Sequence, residues 1–381
     1  MKIALVVPGG VDRSGEYRVI PALLALIARL ALRHEVHVFA LAQEPGPARW
    51  DLLGAHIHNV GTRHTRRRAI QAIRAEHRSS PFHLVHSIWS GAPGLVAVAA
   101  ARILHLPCLI HVAGGELVAL REIAYGGRLG WRGRLREAVV LRAATVVSAA
   151  STPMVEALAC LGIAARRLPL GVDLNTWLPR DPVRRDLSKP ARLIHAASIN
   201  RVKDQTTLLR ALAALAQSGV QFEMDIVGED TLQGEIQAHA VRLGLSGRVT
   251  FHGFLPQRHL LRLVQQAQVM IMSSRHEAGP VVVLEAAVQG VPTVGTSVGH
   301  IAEWAPHAAT AVPVGDWSAL ARAIAEMLDD EGLRLRIAHE ALRRATREDA
   351  DCTVRCLQEI YASVVAPGST HTDVPDANAG S

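Results

Sequence analysis

The chain has 381 residues, 49% hydrophobic and 20% charged, with a formal net charge of +7. Single cores stop growing at roughly 250–300 residues, so two domains are predicted, and the composition excludes a disordered or fibrous chain. The positive charge points to anionic partners, but with only 4% aromatic residues and no reader motif, nucleic acid is not expected among them.

The first residues, Met-Lys-Ile-Ala-Leu-Val-Val-Pro, read as a buried strand over Lys2–Pro8. Their apolar core is too short for a signal peptide. Gly9 and Gly10 follow as a turn, with Gly15 before a helix predicted over Tyr17–Arg33. Such a turn permits close backbone approach to a phosphate or an acceptor. It is not a GxGxxG fingerprint, which argues against a dinucleotide oxidoreductase. The apolar run Val19–Leu32 is interrupted by Arg29 and falls short of the roughly 20 residues of a membrane span. A cytoplasmic location is therefore expected. Four cysteines (Cys108, Cys160, Cys352, Cys356) suit a reducing compartment and are too few for a disulfide framework.

Strands at Glu35–Ala40, Leu84–His86, Cys108–Val112 and Thr145–Ser148, with helices between, continue the pattern of a doubly wound α/β sheet. Only three lysines occur, so arginine carries the positive charge, and it clusters at Arg63–Arg78 and Arg121–Arg142. The first cluster is read as a peripheral contact for anionic lipid at the inner face of a membrane. Prolines 169, 179, 182 and 190 mark a linker. A second α/β unit starts at Arg192. Its strands are Glu223–Val227, Arg248–His252, Val269–Met272 and Pro292–Val294, and its helices Asp204–Ala216, Leu232–Leu243, Gln257–Ala267 and Ser318–Leu328. A last helix covers about Asp349–Val364, before a polar tail. Asp349-Ala-Asp351 opens that helix and reads as a cap, not a metal motif.

Two acids stand out within His276-Glu-Ala-Gly-Pro-Val-Val-Val-Leu-Glu285. Gly279 and Pro280 read as a helix start, because proline at the first helical position loses no hydrogen bond, and Gly290 with Pro292 reads as the stop. Glu277 then precedes the helix and Glu285 projects from its second turn. Between them lie free helix N-terminal amides, a site for phosphate. Such a pair can grip sugar hydroxyls on one side and a ribose on the other.

This arrangement resembles the E-x7-E signature of retaining family-4 glycosyltransferases, the glycosyl transferases group 1 family. Gly171-Val-Asp173, Ile226-Val-Gly228, Val249–Pro256 and Gly315-Asp316 are similar to further elements of that family. The resemblance implies a GT-B fold, two Rossmann-like doubly wound domains facing a central cleft, with the C-terminal helix crossing back to the first. The implied division is an acceptor domain 1–168, a linker 169–190, a nucleotide-sugar domain 191–348, a crossover helix 349–365 and a disordered tail 366–381.

It also implies a metal-independent transfer of sugar from a nucleotide diphosphate sugar to a glycan, lipid-linked or small-molecule hydroxyl, with no cofactor. Lys203 matches the family lysine on the donor diphosphate, and Glu277 shares the catalytic role. Ser198 stands where the family usually has arginine, with Arg201 as a neighbouring source of charge. Gly253, Phe254 and Leu255 are expected against the base. Glu277, Ala278, Gly279, Pro280 and Val281 are expected around sugar and phosphates, and Glu285 on the ribose. On the acceptor side the candidates are Gly9, Gly10, His86, His111 and Glu116. Ala113 occupies the position where many members carry histidine. Together with Ser198, it leaves a nucleotide-sugar-binding protein without transferase activity as the alternative.

Overall fold

A computed structural model describes residues 1–365; the expected disordered tail 366–381 lies outside them. The first sheet is built from β1 (Lys2–Val7), β2 (Glu35–Ala40), β3 (Ala48–Leu52), β4 (Ala55–Asn59), β5 (Leu84–Ile88), β6 (Cys108–Val112), β7 (Val146–Ala149) and β8 (Arg166–Arg167). Its order is β3-β4-β2-β1-β5-β6-β7-β8, and every pairing is parallel except β3 with β4. The helices are α1 (Pro21–Ala31), α2 (Thr65–Ser79), α3 (Ala92–Leu104), α4 (Trp131–Ala143) and α5 (Thr152–Ala159). β1 is buried along its whole length, as expected of a strand covered on both faces. α1 begins four residues later than expected, at Pro21, which takes the first helical position after Arg18 in a left-handed turn.

The second sheet has the order β11-β10-β9-β12-β13-β14. These strands are β9 (Ala191–Ala196), β10 (Phe222–Val227), β11 (Val249–Gly253), β12 (Val269–Met272), β13 (Thr293–Thr296) and β14 (Thr310–Val312). Its helices are α6 (Gln205–Gln217), α7 (Glu235–Arg242), α8 (Gln257–Gln266), α9 (Val281–Val288), α10 (Gly299–Trp304), α11 (Trp317–Asp329) and α12 (Glu331–Arg347). α13 (Ala350–Val365) ends the described chain. The β3–β4 hairpin and α12 were not foreseen. α12 packs on α9 with Ala341 and Ala345, small residues that mark no core face by their size.

Each sheet carries a core on both faces, and α13 contributes Val354, Leu357, Ile360 and Tyr361 to one core of the first domain. The chain therefore crosses back. Gly171 makes the crossing possible: a Cβ there would stand 2.0 Å from the carbonyl carbon of Asp349. Arg29 holds the junction, with Asp173 and Asp351 each 2.7 Å away. In both sheets the order reverses beside the first strand, between β1 and β5 and between β9 and β12. In open α/β sheets a ligand crevice forms outside the carboxyl ends at such a point.

Candidate functional site

Lys203 follows β9 and Glu277 follows β12, the two neighbouring strands at the reversal point of the second sheet. Chain topology thus joins two residues far apart in sequence. Lys203 Nζ lies 2.5 Å from Glu277 Oε1, which also accepts the Ser274 hydroxyl at 2.6 Å. Both members of the pair are largely buried, with side-chain exposures of 22% and 10%.

α9 starts directly after this pair, its N-cap Pro280 extended and without a side-chain cap. Val283 N donates to the Pro280 carbonyl at 3.1 Å, and the amides of Val281 and Val282 are left for a ligand. Gly279 is needed here, because a Cβ would stand 2.8 Å from that of Ala150 and 3.0 Å from His300 Nε2. One turn into α9, Glu285 is 7% exposed and accepts only Gln257 Nε2, at 3.1 Å. Burial pushes its carboxyl up to about 7, against the pull of that single hydrogen bond.

A cleft of about 620 Å³ lies between the domains. Glu285, Ser198, Phe254, Leu255 and Val281 line it from the second domain, and α1 with Asp173 lines it from the other side. Its mouth is bridged by Tyr17 against Phe254, ring centroids 5.9 Å apart, and by Arg258 with Glu16 at 2.8 Å.

The loop carrying Glu277 is gripped by the first domain on either side. Arg275 stands 3.6 Å from Glu122, and His276 Nε2 donates to the Gly114 carbonyl at 3.2 Å. The Ser151 hydroxyl donates to the Ala278 carbonyl at 2.5 Å. Tyr125 packs beside His276, ring centroids 6.4 Å apart. Burial raises its hydroxyl's pKa, and the charges of Glu277 and Glu116 add to the shift. None of Ser274, His276, Tyr125 and Ser151 was singled out as a site residue. Ser274 and His276 stood beside the motif, whereas Tyr125 and Ser151 reach the site only through the fold. His300, fully buried with Nδ1 3.7 Å from the Glu303 carboxylate and Nε2 without a partner, had also been given no role, although Val298-Gly-His300 lies close behind the motif.

Several expected site residues sit elsewhere. His86 is fully buried, with Nδ1 2.7 Å from the Tyr361 hydroxyl, so it anchors α13 instead of facing the cleft. His111 is equally buried against the Ser148 hydroxyl at 3.0 Å. Both point inward because strands covered on two faces leave no side chain a solvent direction. Burial lowers the two imidazoles to about 3 and about 4. Gly9 and Gly10 do not line the cleft; Gly10 N donates to Gln43 Oε1 at 2.7 Å.

Arg201 reaches away to Glu235, 3.1 Å off, and does not replace the charge missing at Ser198. Gly253 turns the chain ahead of Phe254 but is not part of the cleft wall. Glu116 accepts Ser90 N at 3.0 Å and keeps its other oxygen buried without a partner, and burial raises its pKa. It organises the turn bearing Gly114, the carbonyl that His276 engages.

Among the described residues, one group with metal-ligand spacing occurs, His37, His58 and Glu76, and none of the three lines the cleft. No helix among the described residues is long and apolar enough to cross a membrane.

Comparison with known proteins gives two family matches. Residues 181–344 match the family described as "Glycosyl transferases group 1", and residues 19–171 match the "Glycosyl transferase 4-like domain". A GDP-mannose-dependent alpha-(1-6)-phosphatidylinositol dimannoside mannosyltransferase of Mycobacterium tuberculosis is 31% identical over 142 residues, 36% of each chain. The chain spans between a third and about half the length of the curated relatives it matches. Among solved structures, sucrose-phosphate synthase from Thermosynechococcus elongatus superposes with a TM-score of 0.78 at 19% identity, covering 95% of this chain and 99% of that one. Anabaena HepE in complex with UDP and glucose gives 0.73 at 19% identity, covering 95% and 100%. These likenesses establish the GT-B architecture, two parallel-sheet domains across a cleft.

Proposed function

The chain belongs to the glycosyl transferases group 1 family, and from that premise we propose that it is a retaining glycosyltransferase. It moves a sugar from a nucleotide diphosphate sugar to an acceptor hydroxyl. The observation that carries this reading is the line formed by Lys203–Glu277, the open N-terminus of α9 and Glu285 beside the interdomain cleft.

Glu277 accepts hydroxyls of the donor sugar. Lys203 and the α9 amides meet the diphosphate, whose charge grows as the bond from sugar C1 to phosphate oxygen breaks. Glu285 accepts the ribose hydroxyls near the Phe254–Leu255 segment. The acceptor oxygen bonds to C1 on the face the diphosphate leaves, and its proton passes to the departing phosphate oxygen. Positioning and fixed positive charge perform this work, without a metal. One relative is GDP-mannose-dependent and one structural neighbour is bound to UDP and glucose, which supports a nucleotide-sugar donor.

The same reading extends to a cytoplasmic enzyme that docks on anionic lipid. α2, α3 and α4 follow parallel strands and pack in succession, α2 on α3 and α3 on α4. The arginines of Arg63–Arg78 lie on α2 and at its start. On α4, Trp131, Leu135 and Val139 recur every fourth residue with 63%, 57% and 50% exposure, among exposed Arg132, Arg134 and Arg142. Exposed apolar side chains among arginines offer a surface that can rest on anionic lipid headgroups.

The direct test is a panel of UDP-, GDP- and ADP-sugars scored for thermal stabilisation, then for transfer and slow donor hydrolysis. Stabilisation with turnover is expected. Tight donor binding with neither transfer nor hydrolysis would replace the enzyme by the nucleotide-sugar-binding alternative suggested by Ala113 and Ser198.

A further inference from the structure

A second cavity, of about 480 Å³, opens at the far edge of the first sheet between the β3–β4 hairpin and α2. Arg49, His58, Asn59, Arg68 and Gln71 line it. Arg49 and His58 are directly paired across the hairpin and so share one face of the sheet. None of the ion pairs among the described residues uses Arg49, Arg66, Arg67 or Arg68.

The helix above the cavity begins against its own dipole. α2 has no side-chain N-cap and no acid in its first turn, which instead holds Arg66, Arg67 and Arg68. Cations there are unfavourable unless an anion joins them.

The histidine supplies an independent observation. It is 5% exposed, and its Nε2 lies 2.9 Å from His37 Nδ1. His37 Nε2 lies 2.9 Å from a Glu35 carboxylate oxygen. A carboxylate only accepts, so His37 carries its proton on Nε2 and accepts at Nδ1. His58 therefore donates from Nε2, and its Nδ1 is a bare lone pair, buried and without a partner. Such a group calls for a hydroxyl donor, whereas the arginines call for an acid.

A hydrogen-bond chain leads from the cavity wall to the loop after β1. Asn59 Oδ1 accepts Gln43 N at 3.1 Å, and Gln43 Oε1 accepts Gly10 N at 2.7 Å and Val11 N at 3.1 Å.

We propose that this cavity is a subsite for an acidic saccharide, a sugar unit of the acceptor bearing a phosphate or carboxylate. Arg49 and Arg68 take the acid group, and a sugar hydroxyl donates to His58. Its assignment to the acceptor rests on the glycosyltransferase reading above; its binding chemistry does not.

Calorimetric titration of the full chain, without donor, with glucose 6-phosphate, glucuronate, glucose and inorganic phosphate tests it. Both sugar acids bind, glucose does not, and inorganic phosphate binds more weakly than glucose 6-phosphate. Arg49→Gln with Arg68→Gln weakens the sugar acids about tenfold or more. His58→Phe weakens glucose 6-phosphate but leaves inorganic phosphate unchanged. Arg74→Gln with Arg78→Gln, at the other end of α2, changes nothing. Absent binding in the wild type, undiminished binding in the folded double variant, or phosphate binding as tightly as the sugar phosphate would each overturn the subsite. Stabilisation by nucleotide sugars, read separately on the same proteins, reports on the donor site alone, so the two failures are distinguishable.

Discussion

Lys203 is one of three lysines in an arginine-rich chain, and its distinction from arginine is physical. An ammonium is a compact charge on a flexible stem that can follow a leaving phosphate, where a planar fork fixes one geometry. Lys203→Ala should cost roughly 1.5–3 kcal/mol of charged hydrogen bonding, hence about 10- to 150-fold in turnover. Full activity in that variant would remove Lys203 from the mechanism.

Glu285 offers a pH test. Its carboxyl is held at about 7 by burial, and ribose hydroxyls favour the ionised form. Donor affinity should thus fall about tenfold as pH drops from 8 to 6, and Glu285→Gln should flatten that dependence while binding more weakly at pH 8. The stability sign is opposite. The folded pKa exceeds the unfolded one, so the native state binds the extra proton between about 4.5 and 7, and stability is lost as pH rises through that window. The melting temperature of Glu285→Gln relative to wild type should therefore rise with pH. Calorimetry and melting curves across that range check both signs.

At the scale of elements, α9 is a short apolar helix whose start matters more than its length. Proline and glycine put its first amides beside Lys203 and Glu277, and α12 covers its back. α4 is organised the opposite way, with Glu137, Val140 and Leu141 buried and a separate apolar stripe facing solvent. Replacing Trp131 and Leu135 by glutamate should lower partition onto phosphatidylglycerol-containing vesicles about tenfold or more, because it removes apolar area and adds repelled charge. Since those side chains are exposed, the fold and the transfer of sugar to a water-soluble acceptor should persist. Equal sedimentation of variant and wild type with vesicles would refute the docking face.

At the scale of the whole molecule, the two domains meet through the loop that carries Glu277. Arg275, His276 and Ala278 each contact the first domain, so this loop ties the two sides of the cleft together. Arg167 adds a clamp, 2.5 Å from Glu303 and 2.7 Å from Glu348. A Cβ at Gly279 would stand 2.8 Å from that of Ala150, so Gly279→Ala should wedge the domains apart there while each remains folded. Small-angle scattering should show a larger radius of gyration, and turnover should fall by an order of magnitude or more with donor binding less affected. An unchanged radius with unchanged turnover would show that closure does not depend on this contact.

The residues by themselves determined the alternation of strands and helices, the break near residue 170 and the acid pair astride a proline-led helix, because local propensity and spacing encode these. Lys203 was legible for the same reason, through its rarity and its position at a helix start. Whether a strand side chain faces the cleft or the core was not legible: His86 and His111 look like candidates in one dimension and are interior in three. Nor was the company Glu277 keeps, since Tyr125 and Ser151 come from the other domain. Tertiary structure decided these points, because a doubly wound sheet buries both faces of its strands and a two-domain cleft builds its site from segments that only the chain crossing brings together.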